Sequence, residues 1–391
     1  MKNLDILKNF FLLHCMVLIT FTASADDDLY QNRCIDDVEK QFTEVQYEGE
    51  KSCIGADKGF CNSKYTLRKN NRFGLNNHFQ GIARNGPYLY ISGGDSKDLS
   101  GDLFIAKMES QQSNPNINNQ ICTTHTPHES DDAFEKFIQH SDRIFDKIDI
   151  TQDPAWHGGG LFLSGNLLVV PVEEWRRGHG LASKILFYDV STPDRPKLIP
   201  SATITRKHHD AGAAFVHRLP NGHYIAGMSA KGVKGMNPSE LHLHYSRSKN
   251  IVDGFHKKYY TPSFADNKSI SFGQSLGIME DCKTHELYMI TMKNKNLIPY
   301  FTRGKNALAL YKLTFNEGLN HAPSVSFIAK RFLEKTNLWG YGNFDAAASV
   351  EVSSDHKLRI ISANFYRHPL YGLSKGAVGS QFIRMQEFHP E

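Results

Sequence analysis

Three histidines open the parts of this sequence that could do chemistry. His78 begins "HFQGIARNGPYLYIS", His157 begins "HGGGLFLSGNLLVVP" and His209 begins "HDAGAAFVHRLPNGHYIAG". Neutral imidazoles brought together from separate elements can hold a divalent ion and leave one coordination position open. Such an ion polarises a substrate or activates water. Two weaker copies of the plan begin at Phe272 ("FGQSLGIMEDCKTHELYMI") and Asn343 ("NFDAAASVEVSSDHKLRIIS"). Two positions into the five segments stand Gln80, Gly159, Ala211, Gln274 and Asp345, on the same side of a strand as the leading residue. His78, His157, His209 and Gln274 are therefore the candidate metal ligands, and a divalent metal is the candidate cofactor. Two other readings stay open. Each histidine could fix strand register by hydrogen-bonding a neighbouring backbone, or act as a metal-free acid–base. His208, His209 and Asp210 are adjacent on the chain and face alternate sides, so they form no ready dyad.

A second group is basic. Arg176, Arg177, Lys231, Arg303 and Arg367 lie in Gly-rich stretches between strand-like runs, and Lys207 precedes the third tetrad. With Gln80 and Asp345 these are the candidate substrate contacts. The formal net charge is only +4, so basic residues gathered at one end would focus a local field on an anion. The expected partner is an anionic small molecule or saccharide, and the mild charge gives no argument for nucleic acid. Glu173 and Glu174 offer a general acid or base, though pairing with Arg176 and Arg177 is the simpler reading. Three classes follow: a metal-dependent lyase or hydrolase, a non-catalytic glycan- or ligand-binding protein, and a protein-interaction scaffold.

These residues must be positioned by β-structure. Short β-branched and aromatic runs alternate with Gly, Asn, Asp and Pro turns. Each of the five segments is a strand, a turn and a stronger strand. A third strand follows each pair ("DLFIAKME", "SKILFYDV", "ELHLHYS", "ALALYKLTF", "SQFIRMQEF"), and a fourth follows several. Four antiparallel strands repeated around an axis make a β-propeller. Five blades are expected, with six or seven as alternatives if residues 30–77 build a blade of their own; a large sandwich explains the repeats less well. Residues 26–77 should supply an extension and a strand that closes the ring, and 78–391 the propeller. A helical insertion is expected near 113–142, from the pattern "ESDDAFEKFIQHSDRIF" (129–145) behind a Ser130 cap. The chain reads as a monomer.

The segments "WHGGG", "AGAAFVHRLPNGHYIA", "FGQSLGI" and "NFDAAASVEV" resemble those of a group of exported bacterial propeller proteins. The resemblance spans most of the chain after its first 25 residues and implies the fold, with no defined activity. Placing His and Gln on a central metal also resembles the architecture of oligogalacturonate lyases.

The N-terminus carries two lysines, then "NFFLLHCMVLITFT", then "ASA" before an acidic run. This is the pattern of a signal peptide cleaved after Ala25, with an uncleaved anchor as the alternative. A secreted or periplasmic protein is expected to form disulfides. Cys34, Cys53, Cys61 and Cys122 are expected to make two, Cys53–Cys61 being the most local pair, and Cys282 is expected to remain a free structural thiol.

Overall fold

The computed structural model describes residue 29 and residues 33–55, 77–95, 99–108, 143–174, 182–230, 240–264, 275–295, 304–315, 322–336, 342–344, 347–363 and 382–391. Each repeat begins with a hairpin, and each hairpin turn contains one residue in the left-handed region: Gly86 (φ 57°), Gly165 (57°), Gly222 (86°), His285 (58°) and His356 (60°). Glycine enters that region without a Cβ penalty, and histidine is enriched there among other residues. The turns set the register of the five innermost strand pairs.

Five antiparallel sheets result. Blade 1 runs Asn77–Asn85, Tyr88–Asp95, Ser100–Lys107, Arg143–Asp149 from the axis outward. The inner strand of blade 2 is interrupted, with His157–Gly158 and Phe162–Ser164 both pairing Leu167–Glu173. Ala182–Asp189 follows, with Lys197–Leu198 and Ile204–Lys207 outermost. Blade 3 is Ala214–Arg218, Tyr224–Ala230 and Glu240–Tyr245, edged by bridges to Phe255 and Tyr260. Blade 4 is Ser275–Asp281, Leu287–Lys295, Gly304–Thr314 and Ser324–Thr336. Blade 5 is Ala348–Val352, Leu358–Ala363 and Phe382–Phe388, and its outer strand is Glu50–Gly55 from the N-terminal region. The fold is thus an all-β propeller of five blades, with the inner strands packed neighbour to neighbour in a closed ring.

Apolar side chains fill the gaps between blades. Tyr90, Leu103 and Ile105 of blade 1 meet Leu168, Val170 and Leu186 of blade 2, and Phe79 and Ile82 meet Ile361 and Met385 of blade 5. Near the axis the strands come close enough that side chains must be absent. A Cβ on Gly81 would lie 2.4 Å from the Leu161 nitrogen, and one on Gly159 would lie 2.5 Å from the Gly212 oxygen. The glycines of "HGGG" therefore serve blade-to-blade approach.

Three expectations need correction. Cys282 is bonded to Cys34, so it is no free thiol and Cys34 has no partner among the N-terminal cysteines. The pairing is spatial: Cys34–Ile35 adds a short parallel strand beside Glu280 and Asp281 of blade 4, and the turn carrying Cys282 follows immediately. Arg143–Phe145, the end of the expected helix, belong to the outer strand of blade 1, where ladder pairing of Arg143 and Ile144 with Lys107 and Ala106 overrides helical spacing. The rest of that segment, and the side chains of Cys53, Cys61 and Cys122, lie outside the described residues. A short helix not anticipated, Val38–Glu44, caps blades 4 and 5 with Val38 and Phe42. Among the described residues no helix is long and apolar enough to cross a membrane; the expected signal peptide lies outside them.

Candidate functional site on the loop face

The starts of the inner strands and the loops joining second to third strands share one end of the ring, here termed the loop face. On it His157 is buried (2% exposed) with Nδ1 3.3 Å from the Glu173 carboxylate. The two residues are cross-strand partners, so antiparallel register sets them opposite each other. The other Glu173 oxygen accepts from the Ala211 N–H at 2.8 Å, which ties blade 2 to the approach of blade 3. Glu173 thus serves His157 and the next blade. Arg176 and Arg177, expected as its partners, lie outside the described residues.

His209 is placed differently. The inner strand of blade 3 starts at Ala214, so His209 sits on the bend before it, because residues 211–213 approach blade 2 at Gly159–Gly160. Its ring packs edge-on to His242 (centroids 4.7 Å) and Tyr259 (5.6 Å). His157 thus contacts Glu173 and Trp156, and His209 contacts His242 and Tyr259. The side chains of His78 and Gln274, and all of Asp345, lie outside the described residues, as do Lys231, Arg303 and Arg367. Gln80 is buried, and its carbonyl oxygen makes no hydrogen bond among the described residues. Among the described residues one group of three His, Cys, Asp or Glu brings its ligand atoms within 4.8 Å: Cys34, Cys282 and His356, two of which are joined in the disulfide.

The strand Ile204–Lys207 alternates buried and exposed, which points Lys207 to solvent and Arg206 inward. Arg206 is only 5% exposed. One Nη donates to the Asp210 carbonyl (3.0 Å), the other to Nδ1 of His242 (2.6 Å), and Nε makes no hydrogen bond among the described residues. No carboxylate of the described residues forms an ion pair with it. Burial draws its pKa down to about 10, partly offset first by Asp210 and then by Tyr259, Glu173 and Glu240. Arg206 is the residue that sequence reasoning passed over in favour of Lys207; the alternation of "ITRK" was the available signal.

Around it the imidazoles are neutral. Burial, then the Arg206 charge, holds His242 at about 4, and burial holds His244 at about 4. Burial and Arg206 also lower His209. Neutral His242 accepts from Arg206 at Nδ1 and donates from Nε2 to Glu240 at 2.9 Å, so the pair of contacts fixes its tautomer. His244 donates from Nδ1 to the His256 carbonyl at 3.0 Å. Tyr259 stacks on His242 at 4.0 Å.

These shifts predict a pH dependence of stability. Both histidines titrate lower when folded than when unfolded. Their stabilisation is complete above about pH 6.5 and is lost as the pH falls toward 4, at about 1.4 kcal/mol per pH unit for each group. Glu351, raised by burial to about 7, acts with the opposite sign: its contribution is lost as the pH rises from about 4.5 to about 7. Two histidines against one carboxyl leave a net gain in stability as the pH rises from about 4.5 to about 6.5. Urea denaturation across this range measures it. The double variant His242→Gln/His244→Gln should remove the gain; an unchanged profile in that variant contradicts the assignment.

No protein-family model matches the chain, and no curated protein sequence does. Solved structures similar to it include a beta-xylosidase (TM-score 0.40, 9% identity, covering 82% of this chain and 95% of that one). Another is a GH43 beta-xylosidase/alpha-arabinofuranosidase from a compost microbial metagenome, in complex with xylotriose (0.42, 9%, 80% and 90%). A third is an alpha-L-arabinanase mutant from Cellvibrio cellulosa (0.36, 9%, 78% and 90%). At these values the likeness carries no information about ligand or reaction, and the five-bladed ring stands on the strand pairing described above.

Proposed function

We propose that this is an exported ligand-binding propeller whose loop face takes an anionic small molecule or an acidic saccharide between blades 2 and 3, at Arg206. One observation carries the reading: a guanidinium buried to 5% exposure with no carboxylate of the described residues paired to it. Asp210, Glu173 and Glu240 act on this charge only from a distance, and a buried charge with no carboxylate in contact is costly; an anion arriving from solvent supplies that contact through charge-assisted hydrogen bonds. His242 and the Asp210 carbonyl hold the side chain in place, so less side-chain entropy is lost on binding. Tyr259 and His209 beside it offer ring faces to a sugar.

The test compares ligand-induced thermal shifts for glucuronate, galacturonate and glucose 6-phosphate with those for their neutral parent sugars. An acidic ligand should raise the melting temperature of the wild type. Arg206→Gln should weaken that ligand at least tenfold in a variant whose unliganded unfolding stays cooperative. Equal responses to acidic and neutral sugars, or full retention of binding in Arg206→Gln, would count against the reading. Elemental analysis of the same protein separates simple binding from metal-assisted lysis or hydrolysis. Stoichiometric divalent metal, lost in folded His157→Ala, would favour the latter.

A further inference from the structure

At the opposite end of the ring, where the hairpin turns converge, a cavity of about 260 Å³ sits on the axis. Its apolar floor is Phe162, Ile278 and Val350, one residue from each of three inner strands. Its walls carry Arg33, Arg84, Arg359, His217, Glu351 and Ser353. The next-to-last position of the inner strand supplies the inner charges in three blades, so that Arg84, His217 and Glu351 come to one place from blades 1, 3 and 5.

These groups are not equivalent. Arg84 is committed: its side chain is 4% exposed, pairs with Glu387 at 2.5 Å and donates from Nε to the Gly86 carbonyl. His217 lies 3.5 Å from Glu280, and that bond, ahead of the one from His285, holds the Glu280 carboxyl below its usual range. Arg359 is less engaged. Its side chain is 29% exposed, its Nε is 4.0 Å from Glu387, and that Nε makes no hydrogen bond among the described residues. Arg33 is exposed at the rim, held there by the disulfide of its neighbour Cys34. Glu351 accepts the Arg84 backbone N–H. It is faced by Arg84, Arg359 and Glu387, with His389 3.8 Å from Glu387.

We propose that this axial cavity is a second binding site, for a small organic acid, separate from the loop face. Arg359 and Arg33 receive the carboxylate, the apolar floor receives the carbon skeleton, and Glu351 contributes as a neutral acid whose O–H donates to the bound carboxylate. A cavity of this size is slightly below the range for drug-sized ligands, which selects a molecule of few carbons. Burial already lifts the Glu351 carboxyl to about 7. A bound anion favours its protonated form further, so binding above pH 7 takes up one proton, and an ionised Glu351 repels the ligand.

Calorimetric titration with acetate, lactate and glycerate at pH 6, 7 and 8 tests this, with inorganic phosphate and glycerol as controls. At least one carboxylate should bind, weakening about tenfold per pH unit above 7. Arg359→Gln should weaken it at least tenfold, with Arg359→Lys as the partner variant should glutamine disturb folding. Glu351→Gln, neutral at every pH, should abolish the pH dependence. Arg206→Gln should leave this binding intact, which separates it from the loop-face reading. No carboxylate binding at pH 6, or binding indifferent to both Arg359→Gln and Glu351→Gln, overturns the proposal.

Discussion

Replacing Cys34 and Cys282 together by serine lowers the unfolding free energy by about 3–5 kcal/mol. The bond joins positions 248 residues apart, so opening it returns a large loop to the unfolded chain. The folded state loses a tie as well. Cys34–Ile35 pairs in parallel with blade 4 over only two residues, and the helix Val38–Glu44 hangs directly from it. Ile35, Val38 and Phe42 are buried there, and the Asp281 carboxylate accepts from Val38 N–H at 3.1 Å. Denaturant titration of the oxidised wild type against the double variant reads the loss. Native-state hydrogen exchange should place the earliest opening at residues 34–44. A loss below about 1 kcal/mol would mean that the N-terminal segment holds its place without the bond.

Arg84→Met should cost a comparable amount, about 3 kcal/mol, because it strands Glu387 in the interior. Both side chains are nearly buried, at 4% and 12%, and the remaining cation, Arg359, stands 4.0 Å away. The double variant Arg84→Met/Glu387→Leu should recover most of the loss, since an apolar pair of similar volume needs no desolvation. Additive losses in the double variant would show that packing, and not the uncompensated charge, sets the cost. Thr, Ser and His variants elsewhere on the turns are not expected to approach this magnitude.

The architecture was legible because each blade repeats one hairpin plan, and the turn residues Gly86, Gly165 and Gly222 mark it locally. The outer strand of the fifth blade was legible by counting, since the last copy ends one strand short. Other features were not. The partner of Cys282 depends on where the chain passes after a full circuit, which no local spacing encodes. His78, His157 and His209 align by sequence, yet blade 3 needs extra residues to approach Gly159, which moves His209 outward to His242 and Tyr259. Arg206 and Lys207 differ only in strand phase, and the phase follows from burial against blade 3. The charges at the turn end escaped notice because duplication conserved their position and not their type. Aligning the copies on the turn instead of the tetrad brings Arg84, His217, Glu280 and Glu351 into one column.

The pairing of Glu50–Gly55 with Phe382–Phe388 has a consequence for how the molecule comes into being. A chain is made from its N-terminus, so Glu50–Gly55 waits for the last strand. Until residue 388 is available, blade 5 lacks its third strand, Glu50–Gly55 lacks its partner, and the ring is an open arc with two exposed sheet edges. Completion is a single late event joining distant segments, which makes it slow relative to the local hairpins. The same latch means that a chain shortened by ten residues loses more than its tail: it also releases Glu50–Gly55, far away in sequence from every other strand of that blade.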